Sequence, residues 1–165
     1  MVSIWLIPAP EDAQYLQAII KNLSAVHQAP VFNAHCTLYS SIDLPVAVIK
    51  KILERSAKNM KSFFVKKEAI SHTENIWKTI FIELLRSPEL EKLQQAVISQ
   101  FPKGQPYKFL PHISLLYKEM PDKKKEDIIR NLQVKNSFKI DKIAAVRTGP
   151  NVDKWETVVE IPIHA

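Results

Sequence analysis

Glycine is almost missing: the 165 residues hold two, Gly104 and Gly149. The glycine-rich loops that cradle phosphates in Walker and dinucleotide-binding proteins are therefore excluded, and any phosphate must be held by side chains or ordinary backbone donors. One cysteine, Cys36, rules out an internal disulfide, and nothing resembles a thiolate metal site or a carboxylate cluster for a metal. No run approaches the ~20 apolar residues of a membrane span. The N-terminus lacks a basic segment leading into an apolar one, so no secretory signal is expected. Together these absences lead to the expectation of a soluble, cytoplasmic protein with no membrane partner and no cofactor.

What is present suffices for one folded unit. With 46% hydrophobic and 24% charged residues, the chain can bury a sizeable core, and residues 1–165 read as a single domain of two lobes. The net charge of +6 and pI near 9.4 suit a phosphate-bearing or polyanionic partner, although a lysine-rich solvated surface gives the same balance.

One short pattern occurs twice. Phe32-Asn33-Ala34-His35-Cys36-Thr37-Leu38 and Phe109-Leu110-Pro111-His112-Ile113-Ser114-Leu115 share Phe-x-(Ala/Pro)-His-x-(Thr/Ser)-Leu. With 7 Phe and 14 Leu in the chain, repetition of both flanking residues is a coincidence of about 1 in 300. An internal duplication therefore places two histidines and two hydroxyls in equivalent settings.

The surrounding pattern agrees. Val2–Ile7 reads as a buried strand and Glu11–His27 as a helix burying Leu16, Ile19, Ile20 and Leu23. The first motif strand is expected near 33–39. A helix after Asp43-Leu44-Pro45 turns Val46, Ile49, Ile52 and Leu53 inward. Phe63–Thr73 and Ile76–Leu85 read as a strand hairpin. Ser87-Pro88 starts a helix running to about Phe101, and a break at 102–106 centres on Gly104. The second motif strand is expected near 109–117. A lysine-rich helix at 121–132 and strands at Phe138–Thr148 and Trp155–Ile163 complete the chain. Each motif is thus followed by a helix and two strands. The expected fold is α+β: two antiparallel sheets in pseudo-twofold duplication, helices outside, and motif strands facing each other across a central cleft.

Strand alternation puts His35 and Thr37 on one face and Cys36 and Leu38 on the other, and likewise His112 and Ser114 against Ile113 and Leu115. Cys36 is then a packing residue. Phe32, Phe109, Trp5, Trp77 and Trp155 are expected in the core. His27 and His164 read as surface residues, His72 has no partner motif, and the lysines at 50–51, 66–67 and 123–125 read as solvated faces.

The duplicated motif is similar to that of the 2H phosphoesterases, a superfamily named for two His-x-(Thr/Ser)-x motifs. The extension Pro111-His112-Ile113-Ser114-Leu115-Leu116-Tyr117 and the opening Ser3-Ile4-Trp5-Leu6-Ile7-Pro8 resemble its cyclic phosphodiesterase branch. Ala34 departs from the Pro that often precedes the first His there. The resemblance implies a hydrolase acting on ribose cyclic phosphates, either ADP-ribose 1″,2″-cyclic phosphate or nucleoside 2′,3′-cyclic phosphates. In such a site one imidazole takes a proton from water and the other gives one to the departing ribose oxygen. Thr37 and Ser114 donate to the non-bridging oxygens, and no metal is required. The resemblance also puts Tyr117 in the site, although alternation from His112 sends it to the far face unless the strand ends or bulges after Leu116. A small cyclic-phosphate nucleotide is the expected partner and a monomer the expected state. The alternatives are an enzyme of RNA 2′,3′-cyclic ends or 2′–5′ linkages, and a nucleotide- or RNA-binding module without turnover.

Overall fold

The structure, a computed structural model, describes residues 1–102 and 107–164. The break expected around Gly104 lies outside the described residues. Seven strands and four helices follow in the order β1 (Val2–Pro8), α1 (Pro10–His27), β2 (Cys36–Ile42), α2 (Val46–Ala57), β3 (Phe63–His72), β4 (Ile80–Leu84), α3 (Pro88–Ile98), β5 (His112–Leu116), α4 (Asp122–Arg130), β6 (Ser137–Arg147) and β7 (Glu156–Pro162).

The helix starts follow from local chemistry. Pro10 opens α1, where its missing N–H costs nothing, and Glu11 and Asp12 occupy the positive end of the helix dipole. Asp12 does more than complement the dipole: it pairs with Lys135 and accepts the Lys139 backbone N–H, tying α1 to β6. Ser87 caps α3 by accepting the Leu90 N–H at 3.2 Å, with Pro88 behind it. Leu16, Ile20 and Leu23 of α1, Ile49, Ile52 and Leu53 of α2, and Leu90, Leu93 and Val97 of α3 are all buried. Ile19, Val46, Ile128, Ile129 and Leu132 are half-buried against the same core.

All strand pairings are antiparallel. The order β1-β2-β5-β4-β3-β6 returns to β1 through a β1–β6 pairing, and β7 adds to β6, so the sheet closes on itself. The two separate sheets expected from the sequence are one continuous ring, because closure gives every inner strand a partner on both sides. The motif strands do not face each other across a gap. They lie side by side, joined at Cys36↔Ile113. The ring pairings run in matching sets: β1 with β2 and β6, β4 with β5 and β3.

The sheet has two different faces. Val2, Ile4 and Leu6 of β1 point into the main core under the helices, whereas Trp5 joins Ala144 and Val146 on the opposite face. That opposite face carries the cavity described below.

The expected strand Ile76–Leu85 begins only at Ile80. The Asn75 side chain accepts the Trp77 N–H at 3.0 Å and turns residues 76–78 into a single 3-10 turn. A short side chain bonding its own backbone competes with the ladder, which a periodicity argument does not register. Helix α4 corrects a second expectation: Lys125, expected on a solvated face, is only 2% exposed. Among the described residues, no helix is long and apolar enough to cross a membrane.

Candidate active site

The approach to each motif is fixed from outside the motif. Before His35 the chain is held by Gln17 of α1, whose amide donates to Phe32 O at 2.8 Å and accepts from Ala34 N at 3.2 Å. Before His112, the Arg86 guanidinium donates to Phe109 O and pairs with Glu91. Each imidazole then folds back on its own chain in the same way. His35 Nδ1 donates to Asn33 O at 2.6 Å, and His112 Nδ1 donates to Leu110 O at 2.7 Å. In both cases the acceptor is the carbonyl two residues earlier. A donor at Nδ1 fixes the tautomer and leaves Nε2 as the free ring nitrogen.

The pairing Cys36↔Ile113 sets the rest. One step either side in an antiparallel register, His35 stands opposite Ser114 and Thr37 opposite His112. Each histidine is thus beside the other motif's hydroxyl. The next strands out repeat the match: Trp5 of β1 pairs with Thr37, and Phe81 of β4 pairs with Ser114. Trp5 stacks flat on His35 with ring centroids 3.5 Å apart and planes at 11°, while Phe81 presents its edge to His112 at 5.5 Å.

His35, Thr37, His112, Ser114 and Tyr117 all line one cavity of about 660 Å³. Trp5, Trp77, Lys78, Trp155 and the hydroxyl residues Ser3, Ser40 and Thr148 complete much of its wall. Ser114 Oγ donates to Trp77 O at 2.9 Å. Burial holds the His35 imidazole down to about 4, opposed in part by its bond to Asn33 O and reinforced by His112. His112 is lowered by burial and by the Lys78 ammonium, against the bond to Leu110 O. Both rings are therefore neutral near pH 7, with basic nitrogens available to an incoming group. Burial raises the Tyr117 phenol above its ordinary range, so it stays protonated. Among the described residues, no three His, Cys, Asp or Glu side chains are grouped to hold a metal ion.

Comparison with known proteins gives this geometry its context. A family model described as cyclic phosphodiesterase-like protein matches residues 1–163. The chain belongs to that family. It is a phosphodiesterase of the 2H phosphoesterase superfamily. A cyclic phosphodiesterase from Arabidopsis thaliana is 22% identical over 165 residues, covering 94% of this chain and 91% of that protein. TT0787 of Thermus thermophilus superposes with a TM-score of 0.66 at 15% identity, covering 99% of this chain and 98% of that one. LigT of E. coli, solved with 3′-AMP, gives 0.63 at 15% identity with coverage of 99% and 98%. At these identities the structural likeness speaks to the fold.

Within this cyclic phosphodiesterase-like fold, several sequence readings change. Tyr117 lines the cavity because β5 ends at Leu116 and because the register slips between Ser114 and Leu116, an irregularity before Leu116 rather than after it. Phe32 and Phe109 are buried as expected, and Phe32 stacks on Tyr117 at 3.8 Å. Trp77 and Trp155, expected in the core, form the cavity wall instead. Trp77 rides on the 3-10 turn and is 38% exposed, and Trp155 Nε1 donates to Gly149 O at 2.8 Å. Trp5 is buried, yet one face of its indole belongs to the site. Cys36 is fully buried in the main core, and burial pushes its thiol up to about 12. A thiol in that state is no nucleophile.

Gln17, Lys78 and Phe81 carry no sequence signal that singles them out, although aligning β1 with β4 on the motif hydroxyls brings Phe81 to the position of Trp5. Ser41, with φ 63, marks a register slip between β1 and β2 and also lines the cavity. A left-handed serine costs about 1 kcal/mol or more, and such positions gather at functional sites.

Proposed function

We propose that the protein hydrolyses ribose cyclic phosphates, with His35 and His112 as the acid–base pair. The observation that carries this reading is the matched lock of both imidazoles: each donates Nδ1–H to the carbonyl two residues back and lines the same cavity as both motif hydroxyls. One neutral Nε2 takes a proton from water as its oxygen attacks phosphorus. The other ring, protonated once the phosphate anion offsets the burial that lowers it, gives a proton to the departing ribose oxygen. The P–O bond to that oxygen breaks and a phosphate monoester remains.

Thr37 and Ser114 donate to the non-bridging oxygens as charge builds. Ser114 must first turn from Trp77 O, a rotation of one hydroxyl. Tyr117, held as a phenol beside Ser114, is the third substrate-binding group. These transfers all fall to side chains and require no metal or other cofactor. The matched ring pairings support a pseudo-twofold duplication in which the two motifs occupy equivalent positions. The likeness to a plant cyclic phosphodiesterase, and the 3′-AMP bound by LigT, favour a small nucleotide substrate, either ADP-ribose 1″,2″-cyclic phosphate or a nucleoside 2′,3′-cyclic phosphate. The proposal extends to one catalytic domain working as a cytoplasmic monomer.

Incubation with a panel of cyclic phosphates, read by phosphorus NMR, tests the reading. The expected product of a nucleoside 2′,3′-cyclic phosphate is the 2′-phosphate alone, formed equally well in excess EDTA. No turnover of any cyclic phosphate sinks the assignment. Loss in EDTA restored by Mg²⁺ or Zn²⁺ sinks the side-chain mechanism, and preferential cleavage of RNA ends moves the substrate to RNA.

A further inference from the structure

Lys125 is the most unusual buried group outside the site. At 2% exposure its ammonium is removed from water, which is costly unless the charge is met by partners. It donates to Thr73 O at 2.9 Å and to Asp122 Oδ1 at 3.0 Å, with Glu74 Oε1 at 3.6 Å. Two of these three partners belong to the segment 73–79 that leaves β3, and that segment leads to the site. Asn75, Trp77 and Lys78 line the catalytic cavity, Trp77 O receives the Ser114 hydroxyl, and Lys78 lies over Phe81 at 4.5 Å.

The segment is closed at its base. Thr73 Oγ1 donates to Lys78 O at 2.6 Å and accepts the Asn75 N–H at 3.2 Å. At its far end Thr79 Oγ1 donates to Ile76 O and accepts the Lys118 N–H, both at 3.0 Å, beside Tyr117. Among the described residues the cation that meets the near end is Lys125, and it comes from α4. The segment itself is half-buried or exposed from Thr73 to Lys78, so apolar packing does little to fix it.

We propose that Lys125 is a positioning residue: from helix α4 it clamps the Thr73 carbonyl and so fixes the cavity wall formed by Asn75, Trp77 and Lys78. The inference rests on the cavity being the catalytic one, and it acts through substrate binding rather than through the proton transfers. The carboxylates that Lys125→Met leaves without their partner, Asp122 and Glu74, are 57% and 85% exposed, so water meets them and no buried charge is stranded. Stability and catalysis should therefore part company in Lys125→Met.

The experiment pairs hydrogen exchange with steady-state kinetics on a nucleoside 2′,3′-cyclic phosphate. In Lys125→Met the amides of 73–79 should exchange about ten-fold faster or more, while those of β1 keep their protection. KM should rise about ten-fold, with kcat changed by less than about three-fold. Val97→Ala, a core truncation in α3 far from the clamp, should lower Tm and leave KM alone. Asp122→Ala alters an exposed partner, so it keeps the fold intact and should shift exchange and KM in the same direction by less. Unchanged exchange at 73–79, or an unchanged KM in a folded Lys125→Met or Asp122→Ala protein, overturns the clamp. So does a KM rise of the same size in Val97→Ala. If the wild-type protein opens no cyclic phosphate the functional proposal fails by itself, while the exchange result still decides whether Lys125 holds the segment.

Discussion

Lowering the pH below about 6.5 should destabilise the protein through His35. The ring is buried, stacked under Trp5, and held down to about 4 from an ordinary value near 6.5. Between those two values the unfolded chain binds a proton at this position and the folded chain does not. Stability is therefore complete above about pH 6.5 and declines as the pH falls towards 4. Taking both values, the loss due to this one group is about 1 kcal/mol at pH 5.5 and about 3 kcal/mol at pH 4. His112 is lowered as well and adds to the same trend. Asp122, lowered by Lys125 and exposed, weakens only at still lower pH. The comparison protein is His35→Asn, whose amide nitrogen can occupy the place of Nδ1 and still donate to Asn33 O, yet does not titrate. Urea unfolding of both proteins at pH 7.0, 5.5 and 4.0 isolates the contribution of the ring. The difference in unfolding free energy between wild type and variant should shrink with falling pH by the amounts given. Parallel pH dependence in the two proteins would refute the argument that the imidazole is buried neutral.

Three further outcomes follow from the site. His35→Ala and His112→Ala should each lower turnover by about 10²–10⁴-fold in folded protein, and the double variant should fall well short of the product of the two losses; near-normal turnover in either single variant removes that ring from the acid–base pair. Because both imidazoles are lowered, kcat/KM should peak below pH 6.5, while kcat, which reports the loaded site, should peak at higher pH; a kcat/KM profile centred above pH 7 contradicts the assignment. Cys36→Ser should keep most of its activity and lose about 1–3 kcal/mol in urea unfolding, since a hydroxyl replaces a fully buried thiol in an apolar setting; an equally stable but inactive protein would return the thiol to the chemistry.

Much of this was open to reading from residues alone, for identifiable reasons. The apolar helix faces and the alternation around His35 and His112 are local periodicities, and burial follows them: Cys36, Leu38, Ile113 and Leu115 are all fully buried. What escaped depends on pairing between distant segments. Nothing near Gln17 or Phe81 indicates which motif each will touch, because those contacts are set by ring closure. Trp77 and Trp155 look like core residues by composition, and only the turn capped by Asn75 and the bond to Gly149 O carry them to the cavity. Lys125 sits among Lys123 and Lys124, and charge patterning cannot tell the one inward ammonium from its exposed neighbours. Tyr117 was legible only through the resemblance, since alternation alone sends it to the far face and the end of β5 at Leu116, with the slip before it, turns it to the cavity.

The single backbone pair at Cys36 and Ile113 also bears on how the molecule folds. Each histidine meets the other motif's hydroxyl only across this seam, and the two strands come from far apart in the chain. Pairings of high sequence separation carry the largest loop-closure cost and form slowly. A folding intermediate holding β1 with β2, or β4 with β5, would have a full ladder and a covering helix yet only half of the chemistry. Catalysis thus has no graded onset along the folding path. Recovery of turnover after dilution from denaturant reports the closing of the ring, and it should lag the return of helical signal by the time that closure takes.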